Sequence, residues 1–584
     1  MEIGPNEGPR VKSRQAWKRY VVFAFLCVGA LGGAWFFLSP RSIPSGSMLV
    51  LDLTAPTEER SGEGLSQLLA GAEIDVVDLW RCLRSAASDP RVEGLLLRIY
   101  PGAVQLGLVD ELRGLVTQFR SSGKVTIAQL NAPDTPGYFL ATAAEEVLLD
   151  RSTTLDTVGV RMNAYFLKDA LGAMGVEADL VRVGSFKGAF EELSRSVPSP
   201  EFEVSMNALV DSLFESILEP IASARRINVN AVRAAFDRSP LGPDEAQAEK
   251  LIDGVISTHE VRRRIEEKAG KPLHWISVAE YRSTLSAGPG ARRLALVHVL
   301  GTLIEGESRE LPWIGFSTGA DTVVRSLNAA LEDPGIVGIL LRIDSPGGVV
   351  SAAEKVQLAV ESARKLKPVV ASCGRVAASG GYYAACSAER ILAHPTTLTG
   401  SIGIFGGKIV LGDLLARLKV EARTYSRGEH ATMNDFTRKY TAEERLALKS
   451  MLENSYRKFV SKVALGRKKS FEAIDAVAQG RVWTGRAALA AGLVDRLGGF
   501  FEAVDALVEF ANLDLGEAIE LELFPAQKTI WEALSGLKRP ATGVGQSLEV
   551  QSFEFLQNLS SFQQAGLLDG ISALSWMPFS LETR

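Results

Sequence analysis

Gly338-Ile-Leu-Leu-Arg-Ile-Asp-Ser-Pro-Gly-Gly348 has a counterpart 244 residues upstream, Gly94-Leu-Leu-Leu-Arg-Ile99. At the same offset Gly137-Tyr138 faces Gly381-Tyr382, Thr157-Val-Gly-Val160 faces Ser401-Ile-Gly-Ile404, and Val176-Glu-Ala178 faces Val420-Glu-Ala422. Leu251-Ile-Asp253 faces Leu493-Val-Asp495 at an offset of 242. An offset that nearly holds over so long a stretch marks one unit written twice. Within the unit, apolar runs at 48–53, 94–99 and 124–130 read as strands, and a helical pattern at 109–120 falls between the second and third. Strand, helix, strand at this spacing predicts an α/β unit, a parallel sheet covered by helices. A polar seam ending in Gly288-Pro289-Gly290 precedes the strand at 294–300 that opens the second copy. Amphipathic helices expected at 198–224 and 441–465 occupy equivalent places, packing on core or on a neighbouring subunit. The expected partition is therefore a domain at 47–270, a linker at 271–292, a domain at 293–525 and an extension at 526–584. The extension carries Trp531, Phe553, Phe555, Phe562 and Trp576 and is expected to hold a packed helix and strand, the alternative being an interfacial helix touching the membrane, whose polar face lacks the expected Lys/Arg richness.

Before the first copy, residues 1–19 are basic and residues 20–38 carry no charge. About twenty apolar residues suffice to cross a bilayer core. Trp17, Tyr20, Trp35, Phe36 and Phe37 flank the run, where amphipathic rings favour the interface. Trp35-Phe36-Phe37-Leu38 is a poor signal-peptidase site, so a retained single transmembrane helix is expected rather than a cleaved leader. The basic flank places the N-terminus in the cytoplasm and both domains on the far side of the cytoplasmic membrane. The formal net charge of −5 over 584 residues gives no reason to expect a nucleic-acid partner. Four cysteines (Cys27, Cys82, Cys373, Cys386) and five histidines lack disulfide or metal spacing, so no cofactor or metal is expected.

The two copies differ where chemistry would sit. Ser379, between Ala377-Ala378 and Gly380-Gly381, precedes an alanine-rich helical run at 382–387. Small neighbours leave its hydroxyl approachable, and a helix start offers free N–H groups. The first copy has Thr135-Pro136 there, and only Tyr100-Pro-Gly102 where the second has Asp344-Ser-Pro-Gly-Gly348. Conversely, Lys187 of the first copy faces Ala431 in the second. A serine hydroxyl needs a base, and a desolvated lysine can serve. Val183, Phe186, Ala189 and Phe190 make the lysine's surroundings apolar. Backbone N–H groups of Gly347, Gly348 and Gly380 are the candidate oxyanion donors.

Asp344-Ser-Pro-Gly-Gly348, Ala377-Ala-Ser-Gly-Gly-Tyr382 and Thr397-Leu-Thr-Gly-Ser-Ile-Gly-Ile404, with Val183-Gly-Ser-Phe-Lys-Gly188 upstream, resemble the signal peptide peptidase A (protease IV) family in its long, tandem form. The resemblance spans roughly residues 20–520. It implies two tandem Clp/crotonase-like (ββα superhelix) domains behind an N-terminal transmembrane helix. It implies a Ser-Lys serine endopeptidase that degrades cleaved signal peptides in the membrane. Ser379 would be the nucleophile, Lys187 the general base, and Ser401 the hydroxyl that orients the lysine. Thr157 faces Ser401 in the first copy, so a hydroxyl there also admits a structural role. A homotetrameric bowl opening toward the membrane is implied too. Gly184-Ser-Phe-Lys-Gly-Ala189 departs mildly from the family's lysine motif while keeping the lysine and its aromatic neighbour. Two rivals remain: a Ser-His-Asp hydrolase using His394 or His430, and an inactive membrane scaffold or acyl-thioester binder on the same fold.

Overall fold

The computed structural model describes residues 42–55, 75–285, 291–311, 315–514, 517–525, 574–575 and 580–582. The expected transmembrane helix at 20–38 lies outside them, and among the described residues no helix is long and apolar enough to cross a membrane.

The first module is built on six parallel strands. In sheet order they are β7 (Gly254–Ile256), β4 (Glu146–Asp150), β3 (Val125–Leu130), β2 (Val92–Ile99), β1 (Ser47–Leu53) and β8 (His274–Ser277). The second module's sheet is similar but mixed: β19 (Val482–Thr484), β17 (Leu398–Gly400), β15 (Val369–Ala378), β13 (Ile336–Ser345), β9 (Arg292–Leu300) and β21 (Ile519–Phe524) follow in order, all neighbours parallel except β19, which runs antiparallel to β17. In this sheet β16 (Arg390–Ala393) pairs β15 and β20 (Arg496–Leu497). The inner strands β2 and β13 are almost wholly buried, as parallel strands covered on both faces must be.

The recurring motifs hold each module's sheet to its covering helices. Tyr138 Oη donates to Leu251 O (2.8 Å), and Tyr382 Oη donates to Leu493 O (2.7 Å). Asp253 accepts from Val147 N–H (2.8 Å), and Asp495 from Ile391 N–H (2.7 Å). Buried hydroxyls and strand-end amides must find partners, so both copies retained the pair.

Of the stretch 271–292, expected as a linker, the described residues 271–285 and 291–292 are built into the structure. β8 extends the first sheet, and the helix Val278–Arg282 follows with Ser277 and Glu280 capping each other's amides. Val278 and Tyr281 are buried in the first module, and Trp275 Nε1 donates to Glu266 (2.9 Å). Apolar anchors at short intervals outweigh the segment's polar composition.

A third sheet joins the modules, in the order β11 (Arg309–Leu311), β12 (Gly315–Gly319), β10 (Thr302–Ile304), β14 (Gly348–Val349), β22 (Leu574–Ser575), β18 (Ile404–Val410) and β6 (Glu177–Val183). β6 belongs to the first copy by sequence, yet it runs antiparallel to β18 of the second, with Val183 opposite Ile404. β23 (Ser580–Glu582) pairs separately with β5 (Arg161–Asn163). The modules also share a core, in which the Trp80 and Phe500 rings meet edge to face at 5.9 Å. At its centre Glu111, from the helix Leu106–Ser121, binds Arg342 of β13 (3.0 Å), His394 Nε2 (3.0 Å) and Phe500 N–H (2.8 Å).

Candidate active site

Ser379 follows β15 and starts the short helix Gly380–Ala385. Its backbone is at φ 54° and ψ −113°, a conformation that a non-glycine residue reaches only at a cost of about 1–3 kcal/mol. Two bonds hold it: Ser379 N–H donates to Gly400 O (2.8 Å), and Tyr383 N–H donates to Ser379 O (2.8 Å). The following glycines let the Pro346-Gly347-Gly348 loop pack directly on the turn. A Cβ on Gly381 would stand 2.6 Å from Ser345 O, and one on Gly380 would stand 3.2 Å from Gly348 N. Gly347 N–H donates to Ser345 Oγ (3.2 Å).

The lysine arrives along β6. Because Val183 lies opposite Ile404, the loop after β6 runs beside the residues just before β18, which include Ser401. Lys187 is fully buried, as are Ser379 and Ser401. Its Nζ lies 2.7 Å from Ser379 Oγ, 3.0 Å from Ser401 O and 3.1 Å from Ser401 Oγ. Burial alone drives the Lys187 pKa well below the ordinary lysine value. The geometry suits a neutral amine. Its two N–H groups are matched by the two Ser401 oxygens, and its lone pair is left to accept the Ser379 O–H.

All three side chains singled out in the sequence thus meet at one point. The histidines do not join them. His394 is buried on Glu111, and His430 is exposed in a loop of the second module. In the first module the equivalent place is closed off: Thr135 Oγ1 accepts from Gly159 N–H (3.1 Å), and Asp134 caps the helix through Gly137 N–H (2.9 Å). Thr157, facing Ser401 in the repeat, lies 3.3 Å from Ser239 Oγ.

Sequence reasoning missed the loop Gln479-Gly480-Arg481. Phe186 N–H donates to Gln479 O (2.8 Å), Gly480 N–H to Ile402 O (2.7 Å), and Ser401 N–H to Arg481 O (2.7 Å). A Cβ on Gly480 would stand 2.5 Å from Lys187 Cα. Gly480 faces Arg238 at the 242 offset, so the glycine occurs only in the copy that receives the lysine, a signal the repeat held in plain view.

The profile of peptidase family S49 matches residues 117–271 and 361–514, one stretch in each module. The chain is 28% identical to a chloroplastic serine protease SPPA of Arabidopsis thaliana, over 93% of this chain and 80% of that protein. It is 31% identical to Protease 4 of Salmonella typhi, over 78% of this chain and 76% of that protein. Among solved structures, the 1510-N membrane-bound stomatin-specific protease covers 40% of this chain and 98% of its own, at 13% identity and a TM-score of 0.25.

Proposed function

The chain belongs to peptidase family S49 and is a serine peptidase; on that premise we propose that Ser379 and Lys187 form its catalytic dyad and that its substrates are extended apolar peptides, cleaved signal peptides among them. The carrying observation is the 2.7 Å contact between a fully buried amine and a buried hydroxyl. The Ser379 proton passes to Lys187 Nζ as Oγ bonds to the substrate carbonyl carbon. Backbone N–H groups of Gly348 and Gly380 receive the developing oxyanion, the Gly347 N–H being turned to Ser345. Lys187 then returns the proton to the departing amine, and the acyl group leaves by hydrolysis with Lys187 again as base. Ser401 fixes the amine through both its oxygens, which favours the orienting role over a purely structural hydroxyl.

Peptide binding is supported by β22. This extended backbone lies between β14 and β18, beside Gly348, in the manner of a strand added to open edges. The uncharged run at 20–38 supports a single-pass anchor in the cytoplasmic membrane, with both modules on its outer face.

The repeat supports head-to-tail assembly. The β6–β18 joint is closed within the chain, but its repeat counterpart, 421–427 against 160–166, is not. Residues 421–427 form no strand and are all exposed, with Tyr425 86% and Tyr165 67% accessible. A second copy can close that joint head to tail, and such contacts generate a ring where the rotation between copies closes. Four copies are proposed from the family likeness. Sedimentation of Tyr425→Asp checks it: dissociation is expected, and an unchanged mass rules this joint out.

The direct test is degradation of a defined signal peptide by wild type, Ser379→Ala and Lys187→Ala, with fluorophosphonate labelling of Ser379 alongside. Loss in both variants is expected. Hydrolysis that survives Lys187→Ala ends the dyad assignment.

A further inference from the structure

The dyad reading leaves one question open: what keeps an amine from one module at bonding distance from two serines of the other? The loop Gln479-Gly480-Arg481, between the helix Phe471–Asp475 and β19, fills the space between them. It bonds the lysine segment through Gln479 O, the segment after Ser401 through Gly480 N–H, and Ser401 itself through Arg481 O. The contact is close on both sides. A Cβ on Gly184 would stand 2.6 Å from Gln479 C, and one on Gly403 would stand 2.7 Å from Gly480 Cα.

Gln479 pays for this position with φ at 52°, left-handed backbone that a glutamine seldom adopts. Its side chain compensates. Gln479 Nε2 donates to Tyr456 Oη (3.0 Å) and Asp475 Oδ1 (2.8 Å), and Gln479 N–H also donates to Tyr456 Oη (3.2 Å). Tyr456 Oη in turn donates to Asp475. The anchor sits on the helix Ala442–Arg467, whose buried face is packed in the second module's core.

We propose that Gln479 is a positioning residue for the reaction: pinned by Tyr456 and Asp475, it wedges the 479–481 loop between the Lys187 and Ser401 segments and so sets the lysine's distance from Ser379 and shuts water out. The proposal rests on the dyad reading above. Charged groups around the lysine segment are Arg182, paired with Glu191 and donating to Lys187 O (3.3 Å), and Arg481, whose guanidinium lies 5.5 Å from the Phe186 ring centre. Among the described residues Nζ itself bonds only serine oxygens. Its protonation is therefore governed by how dry the loop keeps it.

Two variants loosen the wedge differently. Gln479→Gly keeps the left-handed backbone and removes the anchor; Tyr456→Phe removes the anchor's partner and leaves Gln479 in place. In both, the acid limb of the kcat/KM profile is expected to move to higher pH by about half a unit or more, because water reaching the amine raises its pKa. kcat at neutral pH should fall by roughly threefold or more, with KM within about twofold of wild type. A residue needed only for folding would reduce the active fraction without moving the limb, so an unmoved limb in the folded variants overturns the proposal. Should Gln479→Gly fail to fold, Tyr456→Phe decides. Lys187→Ala is assayed beside them: activity there would sink the dyad, whereas an essential lysine with an unmoved limb sinks only the role of Gln479.

Discussion

Lys187 Nζ lies 2.7 Å from Ser379 Oγ, although 192 residues of chain separate them and they come from different copies of a repeated unit. Neither copy could hold the pair alone. The first has the amine and no serine; the second has the serine and an alanine, Ala431, in the lysine's place. The antiparallel pairing of β6 with β18 brings them together.

Lys187→Met should lower peptide hydrolysis by about 10⁴–10⁶-fold, as for removal of one member of a catalytic set. It should also stabilise the protein at neutral pH. The native lysine titrates below its unfolded value because burial disfavours its charge. Between those two pKa values the unfolded chain binds more protons, so wild-type stability rises with pH across that window. Methionine removes the term. Urea unfolding at several pH values checks it: the variant's advantage should be greatest at low pH and vanish toward pH about 10.5.

Ser401→Ala removes one of the two oxygens that hold the lysine N–H groups and leaves the backbone carbonyl. Losing a single hydrogen bond at a buried site costs about 1–3 kcal/mol, which as transition-state free energy is a fall of roughly 5–150-fold in kcat. Steady-state kinetics should show it in kcat with KM little changed. A Ser401→Ala enzyme of wild-type kcat would reduce that hydroxyl to a structural role like that of Thr157, a buried side chain bonded to Ser239 Oγ.

How much of this could be read beforehand depended on range. Strands at 92–99 and 292–300 were legible because apolar runs and a fixed repeat offset are local signals. The Ser379 turn was legible from its small neighbours, and Lys187 from the comparison of copies. β6 was not, because nothing within Glu177–Val183 says that its partner lies in the other module. β8 was read as linker because one exposed and three half-buried residues between polar ones show no periodicity. Gln479 was invisible for a different reason: its importance lies in a left-handed backbone and in anchors on two other helices.

Glu111→Gln should cost the protein about 3–5 kcal/mol, the usual penalty for breaking a buried ion pair and stranding its partner. Glu111 is fully buried against Arg342 and His394. Burial opposes its charge, but those two partners outweigh burial and hold its carboxyl at about 2. A depressed acid stabilises above its unfolded pKa and loses that contribution as pH falls through the folded one. Wild type should therefore lose stability between pH about 4.5 and 2, and the Gln variant should lack that step. Because Glu111 stands in the first module and Arg342 and His394 in the second, partial unfolding at the joint should accompany the loss, seen as faster proteolysis and weaker fluorophosphonate labelling of Ser379.

Deleting residues 571–584 should make the peptidase bind substrate more tightly. β22 pairs with Gly348 and Val349 on one side and Phe405 on the other, filling the gap that the proposed function assigns to the peptide backbone. β23 ties the same segment to Arg161–Asn163 of the first module. An intramolecular strand competes at a high effective concentration, and a substrate then meets only the fraction of molecules whose gap is open. Removing the competitor should lower KM by about threefold or more and leave kcat unchanged, since the segment touches neither Lys187 nor Ser401 through any hydrogen bond among the described residues. A synthetic peptide of residues 571–584 added to the shortened enzyme should restore the higher KM competitively. If KM is unmoved and the peptide does not inhibit, substrate enters by a route that leaves β22 in place, and the gap between β14 and β18 is not the peptide site.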